Sequence, residues 1–131
     1  MNKASEINAR KVAQLYNISY HCIMKRTIIT FGGYFEDFIS KLSEEEIKKI
    51  DYILVLLSND NRISTKFMKH MQDGLFELRA MYNSNIYRVF FCFDEDKIVV
   101  LFNGFQKKTQ KTPQKEITKA LKIKMEYYGT K

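Results

Sequence analysis

The side chains of this chain that could do chemistry are mostly cations, and they fall in two apolar segments and one basic loop of its second half. The set comprises Arg79, Arg88, Lys107, Lys108 and Lys111. A guanidinium grips a phosphate through two parallel hydrogen bonds and keeps its charge. An ammonium adds a point charge, and within a group of cations it could also serve as a base, because its neighbours lower its pKa. These residue types predict binding of a phosphate-rich polyanion.

Alternating side chains in the two apolar segments predict that both arginines lie on one face of a sheet. A turn at Ser84-Asn85 would pair Tyr82 with Tyr87. The same register sets apolar against apolar residues as far as Phe76 and Phe93, whereas a one-residue shift would place an arginine in the core. The sequence therefore predicts this register, with the two guanidinium groups side by side and directed outward.

The same alternation of side chains can be followed into a third strand, through a tight turn predicted at Glu95-Asp96. It assigns Ile98, Val100 and Phe102 to the core face, and Val99, Leu101, Asn103, Phe105 and, if the strand continues, Lys107 to the arginine face. That face would be apolar at one end and polar at the other. We therefore expect a helix over its apolar end and an open groove around Arg88, Asn103 and Lys107.

The segments before the arginines predict one strand and two helices. A β-branched stretch from Lys25 to Phe31 is typical of a strand, and apolar residues at helical spacing follow Gly32-Gly33. Ser43 and Glu46 form a capping box that begins a second helix. Its buried stripe would consist of Ile47, Ile50, Ile53, Leu54 and Leu57. The polar segment 62–74 is predicted to join this helix to the sheet.

A last helix is predicted to start at Thr112-Pro113, where the missing N–H of proline costs nothing. Its buried stripe would consist of Ile117, Leu121, Met125 and Tyr128, with Ala120 beside it. The predicted order is βααβββα. This order defines an α+β fold, with helices packed on a four-stranded antiparallel sheet that is mixed at its edge.

Length and composition indicate one packed domain. The chain has 131 residues, and 45% of them are apolar, which excludes a disordered chain. No apolar run approaches the roughly 18 residues that a bilayer requires, and the N-terminus lacks a leader-like apolar stretch. Cys22 and Cys92 are far apart, and no ligand-type residues show metal spacing. These features predict a cytoplasmic protein without a metal or another cofactor.

The net charge of +7 is concentrated near the C-terminus. Between Gln106 and Lys124, seven lysines stand against one glutamate. A basic block of this kind attracts polyanions and speeds encounter with them. The same charge would also suit a solubilising surface or a dock for an acidic partner, so charge alone leaves nucleic acid as one of three interpretations.

Three stretches taken together resemble the RelE superfamily of toxins, and within it the phage-derived, HigB-like branch. They are Glu77-Leu78-Arg79, Arg88 after a short turn, and the segment from Gly104 to Pro113. The resemblance covers residues 24–128 and implies a four-stranded sheet with packed helices. It also implies the toxin of a type II toxin–antitoxin system. Such a toxin is an endoribonuclease that cuts mRNA, often on the ribosome, without a metal.

The resemblance and the cation pattern together assign candidate roles. Catalytic roles fall to Arg79, Arg88, Lys107 and Lys108, and RNA-binding roles to Lys66, Lys69, His70, Asn103 and Lys111. An ion pair with Glu77, two residues away on the same face, is the alternative for Arg79. His70 titrates near neutrality and is a candidate base, although a lone loop histidine is more often incidental.

The expected partners follow from the resemblance. They are a helix-turn-helix antitoxin, mRNA and the ribosome, with operator DNA bound only through the antitoxin complex and no membrane. Two other functions stay open. One is a ParE-like poison of DNA gyrase without nuclease activity, and the other is a non-catalytic RNA- or ribosome-binding module. The basic set favours the nuclease, because ParE-like proteins generally lack it.

The N-terminal residues are predicted to lie outside this domain. Met24 begins a segment that resembles a family start, so we divide the chain into an extension, residues 1–23, and a toxin domain, residues 24–131. Within the extension, Ala4 to Tyr16 has the pattern of a weakly amphipathic helix. A docked accessory helix and a start-site artefact are both compatible with it.

Overall fold

One mixed β-sheet forms the middle layer of the protein. The structure, a computed structural model, describes residues 4–7, 26–59, 63–107 and 112–131. Its strands are β1 (Ala4–Ile7), β2 (Thr27–Phe31), β3 (Met68–Gln72), β4 (Leu75–Tyr82), β5 (Asn85–Asp94) and β6 (Ile98–Lys107). Their spatial order is β1-β2-β6-β5-β4-β3, with β2 parallel to β6 and the other neighbours antiparallel. The predicted α+β class is confirmed, but the described sheet has six strands and not four.

Helices cover both faces of this sheet. They are α1 (Tyr34–Ile39), α2 (Glu44–Asn59) and α3 (Gln114–Gly129). On one face, α1 and α2 bury Phe35, Phe38, Ile50, Ile53, Leu54 and Leu57 against Leu78, Ala80, Val89, Phe91, Val99 and Leu101. On the other, α3 buries Ile117, Ala120, Ile123 and Tyr127 against Phe31, Phe90, Cys92, Val100 and Phe102. Since β5 and β6 lie between two helical layers, both sides of these strands are apolar.

The predicted start of α2 is confirmed at atomic detail. The Ser43 backbone N–H donates to Glu46 Oε1 at 2.7 Å, and the Glu46 N–H donates to Ser43 Oγ at 3.2 Å. This reciprocal pair satisfies two N–H groups that have no partner inside the helix. The start of α3 is confirmed as well, because Pro113 is its N-cap.

The two outermost strands were not predicted from the sequence. Segment 62–74 contains β3, whose residues Lys69, His70 and Gln72 are exposed. A polar edge strand lacks the apolar alternation of a central strand, and polar edges protect a sheet from pairing with other chains. The predicted helix at Ala4 to Tyr16 is wrong for residues 4–7, which pair with β2. Its remainder lies outside the described residues, and the boundary at residue 24 stays a prediction.

The β4–β5 hairpin keeps the predicted faces but not the predicted register. Its turn is Asn83-Ser84, and both residues have positive φ, 49° and 66°. Such a two-residue turn matches the twist of the flanking strands. Tyr82 therefore pairs with Asn85 and Phe76 with Phe91, a shift of two residues from the prediction. A shift of two preserves the side-chain parity, so Arg79 and Arg88 still share a face and are direct cross-strand partners.

The predicted faces of β6 are wrong in its first half. The turn before it has three residues, because Asp94 pairs with Ile98, so Val99 and Leu101 lie on the α1–α2 face. A bulge then inserts one residue into β6 between the pairs Phe91–Leu101 and Val89–Gly104. The bulge reverses the parity again, and Phe105 pairs with Arg88 as the predicted face requires.

The buried side of α3 also differs from its predicted stripe. Ile117 and Ala120 are buried as expected, but the helix continues its buried side through Ile123 and Tyr127. Met125 and Tyr128 are 75% and 41% exposed. In the described part of the chain, no helix has both the length and the apolar character that crossing a bilayer requires.

Candidate functional site

A buried carboxylate organises the arginine face of the sheet. Glu77, on β4, is fully buried, and its Oε1 accepts hydrogen bonds from Arg88 Nη1 at 2.7 Å and from Arg79 Nε at 2.8 Å. The alternation along β4 puts Glu77 and Arg79 on one face, and the cross-strand pair puts Arg88 beside them. One carboxylate thus bridges both guanidinium groups.

Thr112 connects this ion pair to the chain that enters α3. Its hydroxyl accepts from Arg88 Nη1 at 3.0 Å and donates to Glu77 Oε2 at 2.5 Å. Both oxygens of the Glu77 carboxylate are therefore hydrogen-bonded. A buried charge is tolerated when it is paired and hydrogen-bonded in this way.

The two arginines differ sharply in exposure. The Arg88 side chain is 1% exposed and the Arg79 side chain 24%. Two guanidinium charges against one carboxylate leave an excess of one positive charge in the cluster. Since Arg79 is the exposed member, that excess is offered to solvent, or to an anion, through Arg79.

The shared face of the two arginines is confirmed, but the outward direction predicted for both guanidinium groups is wrong for Arg88, whose side chain is 1% exposed. The alternative ion pair of Arg79 with Glu77 exists. Arg88 does not line an open groove, because the contacts with Glu77 and Thr112 enclose it. Asn103 is not in an open groove either; it is 2% exposed, since it lies in the bulged part of β6 between two covered faces.

A cleft at the edge of the sheet brings Arg79 together with Lys66. It lies where α2, which packs on one face, adjoins the end of β4, whose Arg79 and Met81 belong to the other face. Its volume is about 250 Å³. The other described residues that line it are Lys49, Tyr52, Ile53, Phe67 and Met81. The Lys66 Nζ lies 5.5 Å from the centre of the Phe67 ring. Sequence reasoning missed Lys49 and Tyr52, because solvent-facing positions of a helix carry no signal that they adjoin a distant strand.

The remaining candidate residues are distributed over both faces. The register of β3 places Lys69 opposite Glu77, on the arginine face, and it is exposed. His70 pairs with Phe76, and their rings are in edge contact at 5.0 Å, so the candidate base lies on the opposite face from Arg79. Lys107 ends β6 opposite Ile86. Lys108 and Lys111 lie outside the described residues.

A second buried carboxylate lies at the other end of α3. Asp94, at the end of β5, is 4% exposed and accepts a hydrogen bond from the Tyr127 hydroxyl at 2.7 Å and an ion-pair contact from Lys131. The Lys131 ammonium, and next the Tyr127 hydroxyl, lower the pKa of Asp94 below its ordinary value. Burial raises the pKa of the neighbouring Tyr128 hydroxyl to about 12.

Among the described residues, acidic and metal-ligating side chains do not cluster around these groups. In segments 26–59, 63–107 and 112–131, no three His, Cys, Asp or Glu side chains are grouped as a metal ion would need. Cys92 is buried in the α3 face, and burial raises the pKa of its thiol. The reactive groups of the described site are therefore two guanidinium groups bound to one carboxylate.

Comparison with protein families places the chain in a known family. Residues 37–125 match the family described as phage derived protein Gp49-like (DUF891). The chain therefore belongs to the Gp49-like family of phage-derived proteins, a toxin-like family of the RelE type. The match includes Glu77, both arginines and most of α3. The search against curated proteins gave no match.

Proposed function

We propose that this protein is the toxin of a type II toxin–antitoxin system, of the HigB-like branch, and that it cuts mRNA without a metal while associated with the ribosome. Membership in a toxin-like, phage-derived family supports the proposal that the protein is a toxin. The observation that carries the proposal is the half-buried guanidinium of Arg79, fixed through its Nε by the buried Glu77 at 2.8 Å.

The proposed chemistry is attack of a ribose 2′-hydroxyl, which gives up its proton, on the adjacent phosphate. A 2′,3′-cyclic phosphate forms, the P–O5′ bond breaks, and the leaving 5′ oxygen takes up a proton. This reaction needs charge stabilisation at the phosphate, a proton acceptor and a proton donor. The Nε of Arg79 is held by Glu77, and its two terminal nitrogens have the geometry that grips a phosphate. Arg88 is a positioning residue in this scheme, because it acts on Arg79 through Glu77.

Lysines supply the remaining positive charge in the proposal. Lys107 is the last residue of β6, the strand that pairs with the Arg88 strand β5, and Lys108 follows it in the sequence. Both lysines are proposed to stabilise the phosphate, and one of them is proposed to act also as the base. Lys66, Lys69 and Lys111 are proposed to bind flanking phosphates of the RNA. Asn103 is less suited to this role because it is buried, and so is His70, whose ring is in edge contact with Phe76.

The proposed partners are those of a toxin of this type. A helix-turn-helix antitoxin would neutralise the protein by binding it, and the complex would bind operator DNA. The protein would act in the cytoplasm, where mRNA and ribosomes are found. The excess of basic residues, +7 overall, suits both an acidic antitoxin surface and RNA.

A translation reaction tests the proposal directly. Purified protein is added to a cell-free translation mixture, and the 5′ ends of the mRNA are mapped. Cuts in phase with codons are expected. DNA breaks linked to gyrase would instead identify the ParE-like alternative, and neither product would identify a non-catalytic RNA- or ribosome-binding module.

Arg79→Gln is the informative variant of this assay. Its cleavage rate should fall about 100-fold or more, because a positioned charge donor at the reacting phosphate is lost. Lys119→Gln, which removes an exposed cation from the outer side of α3, is the matched control and should cleave as the wild type does. Arg88→Ala is less informative, because it also leaves Glu77 buried with a weakened ion pair.

A further inference from the structure

The cleft beside Arg79 has an open side at the edge of the sheet. The strand β3 begins at Met68, opposite Leu78, and the Arg79 backbone N–H donates to the carbonyl of Phe67 at 2.7 Å, so β4 continues beyond this pairing from Ala80 to Tyr82. There α2 runs next to β4, and the space between them is the cleft of about 250 Å³. A space of this size admits a single flat group but not a folded nucleic-acid helix.

Apolar side chains are exposed inside this cleft. Tyr52 is 44% exposed and Met81 56%, although large apolar side chains of the described chain are mostly buried. Neighbouring exposed apolar groups in a concavity indicate a surface that a ligand covers. An aromatic ring beside a thioether suits a flat, polarisable partner.

The charges of the cleft select an anion. Three of the described lining residues, Lys49, Lys66 and Arg79, are cations. No described lining residue of this cleft is a carboxylate. Glu77, the acidic partner of Arg79, is fully buried and is shared with Arg88. A ligand with negative charge and a flat apolar face therefore fits best, and a nucleotide of single-stranded RNA has both.

A second described cleft lacks this combination. It lies between α3 and the β3–β4 turn, has a volume of about 490 Å³ and also contains exposed apolar groups, Met125 and Tyr128. Its charged lining residues are one cation, Lys124, and one carboxylate, Asp73. The larger cleft therefore has exposed apolar surface without the excess of positive charge.

We propose that the cleft between α2 and β4 binds one unpaired nucleotide of the RNA that flanks the phosphate held by Arg79. The Tyr52 ring stacks on its base, Met81 lies at the base edge, and Lys49 and Lys66 bind the adjoining phosphates. This inference rests on the proposed RNA substrate and makes Tyr52 a substrate-binding residue of the same site.

Binding of an uncleavable RNA tests the proposal apart from catalysis. The probe is a short, fluorescently labelled, 2′-O-methylated single-stranded oligoribonucleotide, whose blocked 2′-hydroxyls cannot attack, and the dissociation constant is measured by anisotropy. Tyr52→Ala should weaken binding roughly five- to a hundredfold, the range for loss of one base–aromatic stack. Tyr52→Phe, which keeps the ring, should bind as the wild type does.

Tyr128→Ala is the matched control, because Tyr128 is exposed to nearly the same degree in the second cleft. It should bind the probe with wild-type affinity. An oligonucleotide with abasic sites keeps its phosphates but offers no base to stack on, so Tyr52→Ala and the wild type should bind it equally. Lys49→Ala should lower the dependence of log affinity on log salt by about 0.7, the value for one phosphate contact on a single strand.

The outcomes separate this inference from the proposed function. Equal binding of the methylated probe by Tyr52→Ala and the wild type would overturn the nucleotide site, even if translation extracts show mRNA cleavage. Loss of affinity for polyglutamate on Tyr52→Ala, as large as the loss for RNA, would assign the cleft to an acidic peptide and also overturn it. Tyr52-dependent RNA binding without cleavage would keep the site and refute the nuclease.

Discussion

The two ends of α3 are fastened to the sheet by two buried carboxylates of different chemistry. Before the helix begins, Thr112 is hydrogen-bonded to Glu77 on β4; where it ends, Tyr127 and Lys131 contact Asp94 on β5. Both carboxylates are nearly inaccessible, at 0% and 4% exposure. They anchor the same helix, so the difference between their partners reflects more than anchoring.

The partners of Glu77 carry more charge than anchoring requires. Asp94 is compensated by one ammonium and one hydroxyl, which leaves that cluster neutral. Glu77 is shared by two guanidinium groups, which leaves its cluster positive, with Arg79 on the side of the cleft. A structural anchor has no need of a second guanidinium. The proposed function gives the second guanidinium a role, because Arg79 is the partly exposed member of the cluster and lines the cleft.

The largest predicted effect is on Glu77. Glu77→Ala should lower the free energy of unfolding by about 3–5 kcal/mol, because two guanidinium groups, one of them fully buried, lose their counter-charge. Urea unfolding followed by circular dichroism measures the change. Glu126→Ala, at an exposed site of α3, is the control and should stay within about 0.5 kcal/mol of the wild type. A Glu77→Ala variant as stable as the control would show that the cluster is not an anchor.

Substitutions of the two arginines should differ in their effect on the free energy of unfolding. Arg88→Met should cost about 3 kcal/mol, since it removes the buried partner of a buried carboxylate. Arg79→Met should cost about 1 kcal/mol, because Glu77 keeps Arg88 and Thr112 while the lost partner is partly solvated. The same unfolding experiment compares them. The reverse order would contradict the division into a positioning and a substrate-facing arginine.

At the other end of α3, Asp94→Asn should cost about 1–2 kcal/mol, because the Tyr127 hydroxyl keeps an acceptor but loses a charged one. Lys131 contributes little, since its side chain is 43% exposed. RNA binding and cleavage should be unchanged in this variant at temperatures where it is folded. A loss of cleavage equal to that of Arg79→Gln would remove the functional distinction between the two carboxylates.

The smallest predicted effect is the pH dependence of the Asp94 cluster. The folded-state pKa of Asp94 is lowered, so its stabilisation is present above its unfolded-state pKa and is lost as the pH falls through the folded-state pKa. Urea unfolding between about pH 2 and pH 6 should therefore show a shallower acid loss for Asp94→Asn than for the wild type. Parallel curves for the two proteins would show that Asp94 is not stabilised as a carboxylate.

The parts of the fold that were predicted depend on local periodicity. The capping box of Ser43 and Glu46, the buried positions Ile50, Ile53, Leu54 and Leu57 and the shared face of Arg79 and Arg88 all follow from repeats of 3.6 or 2 residues. The same kind of reasoning failed at Val99 and Leu101. One extra residue in a turn moves every side chain of the following strand to the opposite face of the sheet. The turn before β6 has three residues where two were expected.

At the candidate site, the sequence predicted that two arginines lie side by side but not how they are enclosed. Two adjacent arginine-containing strands indicated the cation pair, and the ion pair of Arg79 with Glu77 was foreseen as an alternative. The cleft with Tyr52 was not, because α2 and the end of β4 are brought together by packing and not by sequence proximity. The outward side of α3 was misjudged for the same reason, since Met125 and Tyr128 fit an apolar repeat but face solvent.

The sequence by itself determined the α+β class, the helix starts and the face on which both arginines lie, because these depend on bond geometry along a few residues. Tertiary structure alone decided which arginine is enclosed and which is partly exposed beside the cleft. Burial is a property of everything packed around a side chain: Thr112 and Glu77 close over Arg88, while Arg79 remains at the sheet edge beyond β3. No local pattern encodes that difference, since it arises from contacts between distant parts of the chain.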